Sequence, residues 1–346
     1  MLKEEIISWE TVLEDAREVL KPKCHVCPNC DGRACAGLTP GPGGKGTGKT
    51  FMRNSDYLHD RIRLQMDVLG EPFSPDTSVS LFGKKLSLPV LAAPIGMVAF
   101  NLSDKLNEYT YAKTVLEGMT MAGSLAITGG GAYDESFFGP IQALEEMKGE
   151  GIPNLKPWER ELLYERIGIA EKTGAPAFVI DIDTAGLPHA GLSKNAIERK
   201  DEKALAEIVQ QSEMKFIVKG IMTPKAAVKA AQAGVYGIVV SNHGGRVMDE
   251  GLSTAEVLPE IREVVGSRVK IFVDGGVRSG ADVFKMLALG ADAVLIGRPY
   301  SVAAYGGGVQ GVFLYTQKIQ NELIDVMRMT GCEKIADITA DKIKTV

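Results

Sequence analysis

Eight short apolar runs recur along this chain, most of them separated by helical stretches, and no other property limits its fold so tightly. The runs are Leu88–Ile95, Ser124–Thr128, Ile152–Leu155, Ala177–Asp183, Lys215–Lys219, Gly237–Ser241, Lys270–Asp274 and Ala293–Gly297. Most are apolar on consecutive residues, the pattern of strands buried on both faces. Helical periodicity lies between them at Pro224–Ala233, Thr254–Val265 and Gly280–Leu289. Strand and helix alternating at this spacing build a parallel sheet, and eight such units close into a (β/α)8 TIM barrel. The third run is the least regular, because Pro153 and Pro157 interrupt it. The rival architecture, a doubly wound open sheet, usually carries a Gly-rich GxGxxG turn after its first strand. Here that strand ends in Ala92-Ala93-Pro94-Ile95-Gly96, without the motif.

Ahead of the barrel, residues 2–20 predict one amphipathic helix, with Ile6, Trp9, Leu13, Ala16 and Leu20 on one side. Residues 21–50 are rich in Cys, Pro and Gly and read as a loop or a small metal-bound knot. The expected division is an appendage over residues 1–50 and a barrel over 51–346. A net charge of −5 argues against nucleic acid or an anionic membrane as partner. No apolar run approaches the roughly 18 residues of a membrane span. The acidic, amphipathic start lacks a signal-peptide core. A cytoplasmic protein is expected.

A barrel of this kind gathers its chemistry just past the C-terminal ends of its strands. Polar residues collect there: Thr128, Asn154, Asp181, Asp183, Lys219, His243, Arg246, Asp274, Arg278 and Arg298. The densest block is Ser241-Asn242-His243-Gly244-Gly245-Arg246 after the sixth run. Histidine moves a proton near neutral pH. Arginine grips a carboxylate with two parallel hydrogen bonds. The two together point to chemistry on a small acid. Asp274-Gly275-Gly276-Val277-Arg278-Ser279-Gly280 and Ile296-Gly297-Arg298 follow the last two runs. Glycine amides, a helix start and arginines at that place suit a phosphate.

Through these blocks the chain resembles the FMN-dependent α-hydroxy-acid oxidases and dehydrogenases, the family of glycolate oxidase and lactate oxidase. The resemblance runs from about residue 57 to the C-terminus and is strongest over Phe216–Tyr300. It implies FMN as cofactor. Lys219 would face the pyrimidine end of the flavin and stabilise its anionic reduced form. His243 would be the general base, Asp183 its hydrogen-bonded carboxylate, and Arg246 the anchor of the substrate carboxylate. Pro94, Ile95, Gly96, Thr128, Asn154 and Ser241 would line the flavin. Asp274, Gly276, Arg278, Gly297 and Arg298 would hold its ribityl and phosphate end.

The chain also departs from the family. Its substrate-pocket tyrosines are missing, and Lys156 stands where the one after the third strand is expected. The second substrate arginine is absent, since Asp183 is followed by Thr184-Ala185-Gly186-Leu187. Lys156 is therefore a candidate for part of the anchoring charge, although a lysine offers a point charge and no fork.

Cys24, Cys27, Cys30 and Cys35 are spaced closely enough for zinc or an iron–sulfur cluster. Free or redox-sensitive thiols are the competing reading. Gly43-Gly44-Lys45-Gly46-Thr47-Gly48-Lys49-Thr50 satisfies the P-loop pattern. The residues before it make no strand, so a loop covering the barrel mouth is expected rather than a nucleotide site. The leading expectation is FMN-dependent oxidation of a 2-hydroxy acid to a 2-oxo acid, with electrons passed to oxygen or another acceptor. Two alternatives stay open: an FMN-barrel isomerase or reductase, and a flavin/thiol redox sensor. The expected partners are a small hydroxy acid and copies of the same chain in a homo-oligomer.

Overall fold

In the computed structural model, the structure describes residues 8–346 except 132, 188, 189 and 193. Seven of the expected strands form one parallel sheet. In chain order they are Val90–Ala92, Asn154–Leu155, Ala177–Asp181, Lys215–Ile221, Gly237–Val240, Lys270–Val273 and Ala293–Ile296. The first pairs with the last, Val294 opposite Val90. The remaining gap is spanned by the second expected run. Ala126 bridges Ala92, and Ile127 bridges Ile152, both in parallel. Four backbone hydrogen bonds carry this join, among them Ile127 N to Ala92 O at 2.9 Å and Thr128 N to Ile152 O at 2.8 Å. The ring is thus closed, with its second member reduced to bridges.

Alternation along each strand splits the core in two. Leu91, Leu125, Ile127, Ile152, Val179, Ile217, Val239, Phe272 and Leu295 point inward and fill the barrel. Their neighbours, such as Val90, Ile180, Val218, Ile238, Val273 and Ile296, point outward under the helices. Burial on both sides explains the continuous apolar runs.

A hairpin of Val79–Leu81 and Lys84–Leu86 turns at Phe82 and Gly83, both at positive φ (56° and 79°). Two such residues make the tight turn whose twist suits a hairpin. The turn tucks the Phe82 ring against Phe272, 5.8 Å between centroids. This plug meets the barrel's inner core cluster. The cleft described below lies among residues that follow the strand ends.

The helices match expectation to within a residue or so: Pro224–Gln232, Thr254–Val265 and Gly280–Ala288. The first helix is observed over Trp9–Leu20, with Ser8 accepting a hydrogen bond from Thr11 N as its cap. Residues 1–7, Ile6 among them, lie outside the described residues. This helix packs along the C-terminal helix Arg298–Met329, where Trp9 stacks on Tyr315 at 5.1 Å. No helix among the described residues is long and apolar enough to cross a membrane. The Cys- and Gly-rich segment carries a short turn of helix at Arg33–Cys35 and then the helix Lys49–Asp56.

Candidate active site

The loop after Val240 reverses sharply. His243, Gly244 and Gly245 all have positive φ, at 56°, 61° and 81°. Such a backbone costs a β-carbon-bearing residue about 1–3 kcal/mol and persists only where its surroundings enforce it. Here they do. Asn242 and Asn54 exchange reciprocal amide hydrogen bonds of 2.8 and 2.9 Å in the core. Ser241 Oγ accepts from His243 N at 3.1 Å and donates to Asp274 Oδ2 at 2.8 Å. At Gly245 a β-carbon would meet Phe51 N at 2.5 Å, so no larger residue fits.

The imidazole is held by Asp183, with Nδ1 3.2 Å from both carboxylate oxygens. Lys219 Nζ stands 3.4 Å from the same nitrogen. The nearer group carries a full negative charge, which places the ring proton on Nδ1 and leaves Nε2 as the basic atom.

Beneath His243 lies a buried cluster of alternating charges. Lys219, 2% exposed, is 3.6 Å from Asp181 Oδ1 and 3.7 Å from Asp274 Oδ2. Burial alone would push its ammonium down, but Asp181, Asp274 and Asp183 outweigh burial and raise it. Asp181 Oδ2 accepts from Lys156 Nζ at 2.5 Å and from Asn154 Nδ2 at 2.8 Å. Burial would raise the Asp181 carboxyl, yet Lys156, Lys219 and His243 together hold it far below the usual carboxylate range. Asp181, Asp183 and His243 bring potential ligand atoms within 4.8 Å of one another. The two ammoniums already supply positive charge there.

Two guanidiniums complete the mouth. Arg246 donates to Gly41 O and to Asn101 Oδ1, each at 2.7 Å. Arg298 donates to Pro42 O at 2.7 Å and Gly244 O at 3.0 Å, and lies over the Phe51 ring at 3.8 Å. Neither forms a salt bridge with a carboxylate among the described residues. Burial, then the neighbouring Arg298 charge, push the Arg246 guanidinium down to about 9. Burial likewise lowers Arg298. Arg278 reaches Cys30, through its carbonyl at 3.2 Å and its sulfur at 3.5 Å.

The Gly-rich segment is the roof over these arginines. Lys45 N donates to Gly245 O at 2.8 Å, and its ammonium reaches Gly186 O at 2.8 Å and Val247 O at 3.2 Å. The P-loop-like stretch does open a helix, Lys49–Asp56, but the anion at its start belongs to the chain itself. Asp249 accepts from Thr47 N, Thr47 Oγ1 and Lys49 N. Burial pushes that carboxyl up, and its bonds from Thr47, Glu250 and Thr50 outweigh this to hold it at about 2. With no strand before it, this is a covering loop.

The cleft between roof and barrel has about 890 Å³ of space, part of it open to solvent. Pro94, Ile95, Gly96, Lys156, Lys219, His243, Arg246, Asp274, Gly276, Arg278, Gly297 and Arg298, all singled out in the sequence, line it. Ser241 and Asp183 stand behind the wall and hold Asp274 and His243. Thr128 is buried in the ring closure, and Asn154 is buried against Asp181. Lys156, expected to reach a substrate carboxylate, has its ammonium committed to Asp181 instead. Three features escaped the sequence reading: Asn101, the carbonyls of Gly41 and Pro42, and Asp181 as the hub of the charge cluster. Asp181 had a signal, since it stands two residues before Asp183. Asn101 had none, being remote in sequence from Arg246.

Cys24, Cys27, Cys30 and Cys35 are all free and partly buried. Among the described residues, no three of their sulfurs come within 4.8 Å of one another.

Comparison with known proteins agrees with this geometry. The family model described as FMN-dependent dehydrogenase matches residues 41–190 and 189–345. An L-lactate oxidase from Lacticaseibacillus rhamnosus is 31% identical, over 87% of this chain and 88% of its own. A mandelate oxidase crystal structure with 2-hydroxy-phenylacetamide superposes with a TM-score of 0.76, at 26% identity and 98% coverage of both chains. A flavocytochrome b2 structure with sulfite bound gives a TM-score of 0.75 at 26% identity, covering 85% of this chain and 78% of that one. With a closed parallel ring, a histidine and arginine at its mouth, and a family match over most of its length, the chain belongs to the FMN-dependent dehydrogenase family.

Proposed function

We propose that the chain oxidises a 2-hydroxy acid to the 2-oxo acid with FMN. The observation that carries this is one cleft holding both a carboxylate-oriented imidazole, His243 with Asp183 at 3.2 Å, and a buried guanidinium, Arg246, without a carboxylate partner among the described residues.

The residues present fit FMN. Asn154 Oδ1 and Asp274 Oδ1 are buried acceptors with no hydrogen-bond donor in the structure. Such orphans are costly unless a ligand satisfies them, and the ring N–H and ribityl hydroxyls of FMN are suitable donors. Arg278, Arg298 and the amides of Gly276 and Gly297 would hold its phosphate. Pro94, Ile95 and Gly96 would lie along the ring. When bound, FMN supplies the two-electron acceptor.

The rest is done by the chain. Arg246 fixes the substrate carboxylate through its planar fork. That orientation presents the 2-hydroxy carbon to His243, whose Nε2 removes a proton. Asp183 stabilises the imidazolium that results. Lys219 keeps a positive charge beside the place where negative charge develops. The missing second arginine leaves Arg246 as the principal carboxylate anchor. In an anaerobic panel of hydroxy acids, at least one should bleach bound FMN, and His243→Gln should retain FMN but lose the bleaching. Purified protein that holds no FMN and takes none up on reconstitution refutes the proposal.

We propose further that the four cysteines hold a metal centre, either zinc or iron–sulfur. Burial raises the Cys24 thiol, a backbone hydrogen bond at Val26 opposes it, and the charges of Cys30, Cys35 and Cys27 add to the rise. Zinc–sulfur bonds of about 2.3 Å set sulfurs about 3.8 Å apart, so zinc would draw the segment together on binding. These residues precede the stretch matched by the family. Metal and sulfide analysis of anaerobically purified protein decides, and absence of both zinc and iron sinks this part.

A further inference from the structure

Lys156, which lines the cleft, and Asp181 behind it form a buried ion pair, and the proposed hydroxy-acid chemistry makes no use of it. Their side chains are 3% and 1% exposed, with 2.5 Å between Nζ and Oδ2. We propose that Lys156 is a positioning residue. By holding one oxygen of Asp181, it keeps that carboxylate from closing onto Lys219, so a usable positive charge survives at the wall where FMN would lie. The inference rests on the FMN reading above and adds a role for a residue pair outside it.

The hydrogen bonds around Asp181 are lopsided. Oδ2 accepts from both Lys156 and Asn154, at 2.5 and 2.8 Å, whereas Oδ1 accepts from none. Two donors on one oxygen fix the carboxylate's rotation. Oδ1 is left 3.6 Å from Lys219 Nζ, beyond a strong hydrogen bond. Asp274 is restrained in the same way. Its Oδ2 is taken by Ser241 Oγ at 2.8 Å and stands 3.7 Å from Lys219. Both acids nearest Lys219 are therefore tied by other donors. The ammonium keeps hydrogen-bonding capacity toward the cleft, its shortest polar contact among the described residues being His243 Nδ1 at 3.4 Å.

The charge count points the same way. Lys156 and Asp181 cancel as a contact pair, and a contact pair projects a dipole rather than a net charge. Without Lys156, Asp181 would become the counter-ion of Lys219. A shift of roughly 0.5–1 Å would bring the two into full contact. The wall would then have lost one positive charge, with Lys219 in contact with Asp181 and still beside Asp274.

Sulfite, a small anionic nucleophile, reports positive charge beside bound FMN. Its dissociation constant is read from the loss of visible flavin absorbance in the FMN-loaded protein. Lys156→Met should raise that constant by roughly tenfold or more, about 1.4 kcal/mol per tenfold. Lys156→Arg should restore it in part. Asp181→Asn should lower it. The double variant Lys156→Met with Asp181→Asn should return to within about threefold of the parent, because the carboxylate that Lys156 restrained is gone while Asp274 stays tied to Ser241. A direct role for the Lys156 charge predicts instead a double variant as weak as Lys156→Met. That result, or an unchanged constant in Lys156→Met, overturns the proposal. Should Lys156→Met fail to fold, the double variant decides alone, since exchanging both partners of a buried pair is better tolerated than removing one. A parent protein that takes up no FMN overturns the function proposed above, and is seen before any variant is made.

Discussion

Replacing Arg246 by Met gives a sharp test of the proposed carboxylate anchor. The guanidinium is buried, donates at 2.7 Å to Gly41 O and to Asn101 Oδ1, and has no acidic partner among the described residues. Removing one member of a buried charge pair costs about 3–5 kcal/mol. If the substrate carboxylate is the other member, kcat/KM should fall roughly 100- to 4,000-fold at about 1.4 kcal/mol per tenfold. Most of the loss should fall on KM, because the grip is made before the transition state as well as in it. The 2-hydroxy amide of the same acid has no charge to pair. It should lose only a neutral hydrogen bond, about 0.5–1.5 kcal/mol or roughly 2- to 12-fold. The assay is anaerobic FMN reduction by acid and amide side by side, with FMN content checked in each preparation. Equal losses on both would refute the assignment of Arg246 to the carboxylate.

Three further expectations follow from the framework around the cleft. Asp282 is 2% exposed, accepts from Arg278 N and Ser279 N, and pairs with His59. Burial would raise its carboxyl, but the His59 contact and the backbone bonds lower it. A depressed carboxyl stabilises the fold above its unfolded value, about 3.9, and that contribution is lost as pH falls through the folded value. Asp282→Asn should therefore cost about 1–3 kcal/mol at pH 7, with the gap to the parent narrowing below about pH 4. Urea midpoints across that range check it, and a constant gap refutes it. Gly306→Ala would set a β-carbon 2.0 Å from Val12 O. It should destabilise by about 1–3 kcal/mol and alter the fluorescence of Trp9, which the shift would unstack from Tyr315. Asp249→Ala removes the carboxylate that binds Thr47 and Lys49. A lost helix cap costs about 0.5–2 kcal/mol, and limited proteolysis should cut faster within residues 41–48.

The strands were legible because burial on both faces leaves no room for polar residues. The helices between them were legible through their period, and the structure adds caps such as Ser279 before Gly280. The second strand was legible in position but not in extent, since only Ala126 and Ile127 make ladder contacts. At the site, His243, Arg246, Lys219 and Asp183 could be placed because each stands within a few residues of a strand's C-terminal end. Lys156 could be located but not paired. Nothing local reveals that its ammonium turns to Asp181 rather than to a substrate, because that choice depends on two strands lying side by side. Asn101 and the carbonyls of Gly41 and Pro42 are further cases. They reach the arginines from remote parts of the chain, and a carbonyl looks the same in every residue.

The roof of the cleft is folded from residues near the start of the chain, while Arg298, which it shelters, begins the last long helix. A nascent polypeptide therefore carries its lid long before it has anything to cover. The wall proposed to hold the phosphate exists only once the ring's final strand has been synthesised and paired with its first. Cofactor capture should accordingly come late, after ring closure, and a ribosome-bound chain stalled before residue 293 should hold no flavin.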